Sequence, residues 1–161
     1  MVFLTPFPNE TIKEFIDSSI QEQIAGFDLT VKEILKVHDG GSLDFDNSNR
    51  QIPKHENLET ENNAWKLQPG GYLVKYNEIV KVPLNAMGIV LPRSSLMRCG
   101  GTLCSAVWDP GYNGRGVGLL IIFTEMVIHK NARIAQIIFI KTQEKTSRSY
   151  SGEYQNENIE E

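Results

Sequence analysis

Apolar positions follow two different periods along this chain. Between Thr11 and Ile20, the residues Ile12, Phe15, Ile16 and Ile20 recur at helical spacing. Thr11 and Glu14 add a capping-box pair, so one short amphipathic helix is predicted here. After it the period shortens. Gly26 to Val31, Tyr72 to Tyr76, Ile79 to Val82 and Met87 to Leu91 are short, β-branched or aromatic, and bounded by Gly, Pro and Asn, which is the pattern of strands. Leu119 to Phe123 and Ile134 to Ile140 are apolar almost throughout. Such runs suit buried strands or helix fragments, and their isoleucine and phenylalanine content favours strand. The expected fold class is therefore all-β with a short N-terminal helix. Asp39 to Asn63 is polar and rich in Asn, Gly and Asp, with apolar runs on both sides, so it reads as a long loop or hairpin excursion from one domain. The last twenty residues, Thr142 to Glu161, hold only Tyr150, Tyr154 and Ile159 as bulky apolar groups, and five glutamates against Lys145 and Arg148. This composition predicts a domain at 1–141 followed by a mobile arm at 142–161.

Composition and charge narrow the function classes. A chain of 161 residues has the length of one domain and buries about two-thirds of its unfolded surface on folding. With 40% hydrophobic residues it forms a core without disulfides, and Cys99 and Cys104 are expected as small packing residues. Sixteen Lys and Arg against 20 Asp and Glu give a net charge of −4. That balance is unsuited to coating a nucleic acid, which requires a basic face, although it leaves room for a local basic pocket. No run approaches the roughly 18 apolar residues of a membrane span, and Met1 to Pro6 lacks the basic and apolar regions of a secretory signal. A cytoplasmic protein with no nucleic-acid or membrane partner is expected.

Several familiar chemistries lack their residues. There is no CxxC pair and no HExxH, and His38, His55 and His129 are scattered, so a protein-held zinc has no support. Gly114-Arg-Gly-Val-Gly118 precedes an apolar strand instead of a helix, which fits turn and strand glycines and not a dinucleotide fingerprint. The dense region is Leu91 to Leu120. In Pro92-Arg-Ser-Ser-Leu-Met-Arg98, Arg93 and Arg98 offer cationic donors and Ser94 and Ser95 offer hydroxyls and backbone N–H groups, a set that suits phosphate oxygens or, equally, a surface turn. In Trp108-Asp-Pro-Gly-Tyr-Asn-Gly114, two tight turns present Asp109 and Tyr112 at a loop edge. One region thus offers a phosphate cradle, a carboxylate able to act as a base, and a ring able to pack on a sugar.

In order along the chain, Ala25-Gly-Phe-Asp-Leu29, Pro92 to Arg98, Trp108 to Gly114 and Arg133-Ile-Ala-Gln-Ile-Ile-Phe139 resemble the four motifs of the trimeric dUTPase and dCTP deaminase superfamily, in the form closest to archaeal-type dUTPases. The resemblance spans Ala25 to Phe139. It implies a distorted β-barrel or jelly roll and a homotrimer whose sites form between subunits. Carried over position by position, it makes Asp28 the acidic residue of the first motif, Asp109 the general base, and Tyr112 the ring that packs on deoxyribose and excludes a ribose 2′-hydroxyl. Arg93, Ser94, Ser95, Arg98 and Gln136 would hold the polyphosphate, the backbone of 101–107 would read the pyrimidine, and Arg148 and Tyr150 of the arm would close over the substrate. The implied substrate is a deoxynucleoside triphosphate. The implied reaction is hydrolysis of dUTP to dUMP and pyrophosphate by a water held at Asp109, with Mg²⁺ carried on the phosphates.

Departures from the family pattern keep two other readings open. The deaminase branch uses a glutamate ten residues after the motif aspartate, and position 119 here is leucine, which cannot shuttle protons; Glu125 falls elsewhere along or beyond the strand. Trp108 stands where the family usually has an aliphatic residue, and Gly116-Val-Gly118 is itself unusual. Besides a dUTP pyrophosphatase, the sequence therefore admits a non-catalytic paralogue that binds a deoxynucleotide as a regulatory module, and a dCTP deaminase, which Leu119 counts against.

Overall fold

A computed structural model describes residues 10–159 of the chain. The reading of Met1 to Pro6 as lacking a secretory signal, and the last two glutamates of the acidic arm, lie outside the described residues. In chain order the elements are β1 (Ile12–Lys13), α1 (Ser18–Gln21), β2 (Phe27–Val37), β3 (His55–Asn57), β4 (Ala64–Leu67), β5 (Gly70–Tyr76), β6 (Ile79–Lys81), β7 (Ala86–Pro92), α2 (Ser94–Arg98), β8 (Gly101–Cys104), β9 (Asn113–Gly114), β10 (Val117–Ile122), β11 (Met126–His129) and β12 (Arg133–Lys141). All the predicted strand runs are strands.

The strands pair antiparallel in a main sheet ordered β7-β12-β2-β5-β10-β8, with β3 added to β2, and in smaller sheets β1-β6-β9 and β11-β4. The two ends of the main sheet meet through Gly88 and Trp108, which exchange both backbone hydrogen bonds (2.8 and 2.9 Å). This nearly closes a barrel, and closure removes the exposed edges that would otherwise invite misassembly. Alternation drives it: Ala135, Ile137 and Phe139 of β12, Val74 and Tyr76 of β5, and Leu120 and Ile122 of β10 point inward and are buried. No helix among the described residues is long and apolar enough to cross a membrane.

Two expectations need correction. Thr11 to Ile20 is not an amphipathic helix. Ile12 pairs with Val80 as part of β1, Glu14 takes a left-handed φ of 54°, and the helix is the single turn of α1, capped by Asp17 and not by Thr11. A ten-residue period is too short to outweigh an available sheet partner, and of the four periodic residues only Ile12 is buried while Phe15, Ile16 and Ile20 are exposed. Cys99 and Cys104 are not packing residues; both thiols are free and exposed, Cys99 because it caps the end of α2 and Cys104 because it falls on the outward phase of β8.

One buried polar hub ties the N-terminal segment to the barrel. Glu78, in the turn between β5 and β6, is fully buried and accepts hydrogen bonds from the Thr30 backbone N–H (2.9 Å), the Thr30 hydroxyl (2.6 Å) and Gln21 Nε2 (2.7 Å). Burial outweighs these donors and pushes its carboxyl above the usual carboxylate range.

Candidate active site

Strand register assembles the first group of residues. Gln136 on β12 stands between Asp28 on β2 and Leu91 on β7, and Arg93 follows the end of β7. Asp28 is fully buried and receives Arg93 Nε at 3.1 Å, Arg133 Nη1 at 3.1 Å and Gln136 Nε2 at 3.2 Å. Arg93 also donates to the Arg133 carbonyl (3.3 Å), and Arg133 to the Ile20 carbonyl (2.8 Å). One carboxylate against two guanidiniums leaves an excess positive charge, and both arginine side chains are still about 30% exposed (28% and 32%). Next to Arg93, α2 is anchored by buried Leu96 and carries Ser94, Ser95 and Arg98 on its exposed side; Arg98 Nη1 donates to the Ser94 carbonyl (3.3 Å). Guanidiniums, an amide and hydroxyls form a set of donors for anionic oxygen.

The second group lines a cleft of about 650 Å³ that includes Trp108, Asp109, Tyr112, Lys75, Tyr150 and Glu157. Gly111 takes a φ of +86°, which lets the chain turn so that the Tyr112 N–H donates to the Asp109 carbonyl (3.0 Å). The turn leaves Asp109 exposed while Tyr112 is buried, 7% exposed. The ring of Tyr112 stands edge-on between Trp108 (5.1 Å) and Tyr150 (5.7 Å). Its hydroxyl donates to Glu157 Oε1 at 2.7 Å. Burial and the Glu157 carboxylate together push the tyrosine hydroxyl's pKa up, and burial pushes the Glu157 carboxyl up. Lys75 on β5 is buried in the same cleft and pairs with Glu33 (3.0 Å).

Residues of the C-terminal arm supply part of this cleft. The Tyr150 N–H donates to the Pro110 carbonyl (2.9 Å), Gln155 bonds both the Gly111 carbonyl (3.0 Å) and the Asn113 N–H (3.1 Å), and the Asn156 N–H reaches the Asn113 carbonyl (2.7 Å). Arg115, buried, gives its N–H to the Glu157 carbonyl (3.0 Å) and its guanidinium to the Asn158 carbonyl (3.1 Å) and to Glu14 (2.6 Å). Arg50 in the polar excursion pairs with Glu153.

The sequence-predicted residues thus fall in two places within one chain. Asp109, Tyr112 and Tyr150 share the cleft, whereas Arg93, Ser94, Ser95, Arg98 and Gln136 do not line it. Trp108, next to Asp109, pairs with Gly88, and Arg93 lies five residues further along the chain, just past the end of β7, about 16 Å at strand rise. Arg148 belongs to neither group; it is exposed, and its N–H bonds the Thr146 hydroxyl (3.2 Å). Leu119 faces outward from β10 at 40% exposure, and Glu125 sits in the turn beyond β10, bound to Gln68 (2.6 Å) and Lys66 (3.2 Å). Sequence reasoning did not single out Arg133, Lys75 or Glu157. Arg133 opens the fourth motif, but only the register of β12 against β2 brings it to Asp28. No cluster of three or more His, Cys, Asp or Glu side chains among the described residues is placed to hold a metal ion.

Comparison with known proteins agrees with this architecture. The family model described as dCTP deaminase-like matches residues 8–142. A protein of Methanosarcina acetivorans named probable deoxyuridine 5′-triphosphate nucleotidohydrolase is 44% identical over 150 residues, 91% of this chain and 88% of that one. A deoxyuridine 5′-triphosphate nucleotidohydrolase of Methanocaldococcus jannaschii is 44% identical over 135 residues, 81% of this chain and 86% of its own. Among solved structures, 2′-deoxycytidine 5′-triphosphate deaminase from Agrobacterium tumefaciens superposes with a TM-score of 0.60 at 20% identity, over 81% of this chain and 43% of that one. An EIAV dUTPase superposes at 0.51 and 17% identity, over 89% of this chain and 93% of its own. These superpositions speak for the fold, the curated relatives for descent, and the chain belongs to the dCTP deaminase-like family, which unites deaminases and dUTPases.

Proposed function

We propose that this protein is a dUTP diphosphatase that hydrolyses dUTP to dUMP and pyrophosphate. The observation that carries the reading is the exposed carboxylate of Asp109 sharing a cleft with the Tyr112 ring, in a chain 44% identical to proteins named as dUTP nucleotidohydrolases. In this reading Asp109 accepts a proton from water as the water oxygen bonds to the α-phosphorus, the bond to the bridging α–β oxygen breaks, and pyrophosphate leaves. Tyr112 packs on the deoxyribose where a 2′-hydroxyl would collide. Arg93, Ser94, Ser95, Arg98 and Gln136 bind phosphate oxygens, with Asp28 holding Arg93 and Gln136 in place. The donors around Asp28 are cationic and amide groups, which suit a phosphate that brings its own cation. Mg²⁺ would be carried in on the phosphate oxygens and would supply charge neutralisation at the leaving group.

Because the two groups of residues lie about 16 Å apart along β7, the working site is formed in a homotrimer, the phosphate donors of one subunit facing the Asp109 cleft of the next. Residues 142–161 act as a mobile arm. It leaves the Tyr112 hydroxyl when a nucleotide enters, and Arg148 and Tyr150 then close over the substrate. Leu119 in place of a glutamate argues against deamination. A cytoplasmic location, where deoxynucleotides are made and used, belongs to the same reading. The test is to incubate the protein with dUTP, dCTP, dTTP and UTP in Mg²⁺ and separate the products. The expected result is dUMP and pyrophosphate from dUTP, with UTP turned over far more slowly and no product from dCTP or dTTP. Deoxyuridine nucleotides from dCTP would overturn the assignment in favour of deamination. No turnover, with dUTP raising the unfolding temperature, would make the protein a binding module.

A further inference from the structure

Two departures from the family pattern, the tryptophan before Asp109 and the first glycine of Gly116-Val-Gly118, meet in space. Trp108 is 6% exposed and fixed on several sides. Its backbone is bonded to Gly88, where an added Cβ would come within 3.1 Å of the Trp108 Cβ. Its Nε1 donates to the Ser105 hydroxyl at 3.0 Å. Its six-membered ring lies over Gly116, where an added Cβ would fall 2.6 Å from Cζ2 and closer still to Cη2. Real side-chain carbons do not approach so closely, so any residue larger than glycine at 116 displaces the indole. The remaining face of the arrangement is functional: the indole meets the Tyr112 ring edge-on at 5.1 Å and 70°.

Among the described residues, the other aromatic neighbour of Tyr112 is Tyr150 and its hydroxyl bonds Glu157, and both belong to the arm. When the arm yields to a nucleotide, Trp108 is the aromatic support that stays. We propose that Trp108 is a positioning residue that sets the Tyr112 ring against the sugar, that Gly116 is there to seat its indole, and that the pair thereby determines how sharply the site rejects a ribonucleotide. This inference rests on the dUTP diphosphatase reading and deepens it. A hydroxyl is excluded only if the ring is held where the hydroxyl would be, and aromatic edge contacts with a hydrogen-bonded anchor are suited to holding it.

The experiment compares kcat and KM for dUTP and UTP in the wild type, Trp108→Phe, Trp108→Leu, Gly116→Ala and the Trp108→Leu/Gly116→Ala double variant, with thermal unfolding recorded for each. Since misplacing a group by about 1 Å costs up to about 100-fold, Trp108→Leu should raise KM for dUTP roughly tenfold, with kcat within about twofold. The preference for dUTP over UTP should fall by a similar factor. Trp108→Phe should restore most of that preference, Gly116→Ala should reproduce the loss by ejecting the indole, and the double variant should be no worse than Trp108→Leu alone, because the clash has then lost its partner. A dUTP/UTP ratio unchanged in Gly116→Ala, whatever becomes of Trp108→Leu, overturns the inference. A wild type inactive on dUTP fails the functional reading itself, whereas dUTP turnover with a ratio insensitive to positions 108 and 116 fails this inference alone.

Discussion

Asp109 and Glu78 are two carboxylates placed in opposite circumstances. Asp109 is exposed at the rim of the cleft, so Asp109→Asn removes a base without disturbing packing. It should lower kcat for dUTP by about 10²- to 10⁴-fold, the usual contribution of a positioned general base. Binding of a non-hydrolysable dUTP analogue should stay within several-fold, as read by calorimetry. Retained turnover would take Asp109 out of the mechanism. Glu78 is sealed among Gln21 and Thr30 donors, and burial holds its proton above the ordinary carboxylate range in the folded chain. Above the unfolded value of 4.5 the folded chain therefore binds more protons than the unfolded one, so unfolding free energy falls as pH rises until Glu78 has ionised in both states. Urea unfolding at stepped pH should show the wild type losing stability relative to Glu78→Gln across that window. Parallel profiles would mean that Glu78 titrates normally.

The arm is the element whose behaviour most affects the site. It docks on the turn from Pro110 to Arg115 through Tyr150, Gln155, Asn156, Glu157 and Asn158. If Arg148 and Tyr150 close over the nucleotide, truncation after Thr146 should lower kcat/KM for dUTP by about tenfold or more, the equivalent of one lost contact of about 1.4 kcal/mol in the transition state. Unchanged kinetics would make the arm a passive extension. Strand elements were legible from sequence because alternation and β-branching are local, and β2, β5, β7, β10 and β12 all appear where their apolar runs lie. The segment from Thr11 to Ile20 was not, because its partner is β6, some seventy residues away, and no local pattern reports such a pairing. The same holds inside the site. Asp109 and Tyr112 share one turn and could be read together, whereas Asp28 meets Arg93, Arg133 and Gln136 only through the register of three strands. Glu157 reaches Tyr112 from 45 residues downstream in a segment whose composition pointed only to solvent.

At the scale of the whole molecule, the separation of the two groups of residues becomes an argument about assembly. Exposed apolar side chains border each half: Leu91 and Met97 beside the phosphate donors, Val107 beside the cleft, as expected where a second subunit covers them. In a closed trimer with sites between subunits, each site takes its phosphate donors from one chain and its Asp109 from the neighbour. Two inactive variants then complement each other. Asp109→Asn and the Ser94→Ala/Arg98→Ala double variant each disable every site when alone, and the residues changed are exposed, so folding is spared. Co-expressed in equal amounts they should assemble at random, and a site is intact when the donor chain carries the first variant and its neighbour the second. That arrangement occurs in about a quarter of all sites, so the co-expressed population as a whole should recover about a quarter of the wild-type rate on dUTP. A site contained within one chain would recover nothing, because every chain in the mixture lacks one half, and sedimentation of the mixture separates that result from a failure to assemble.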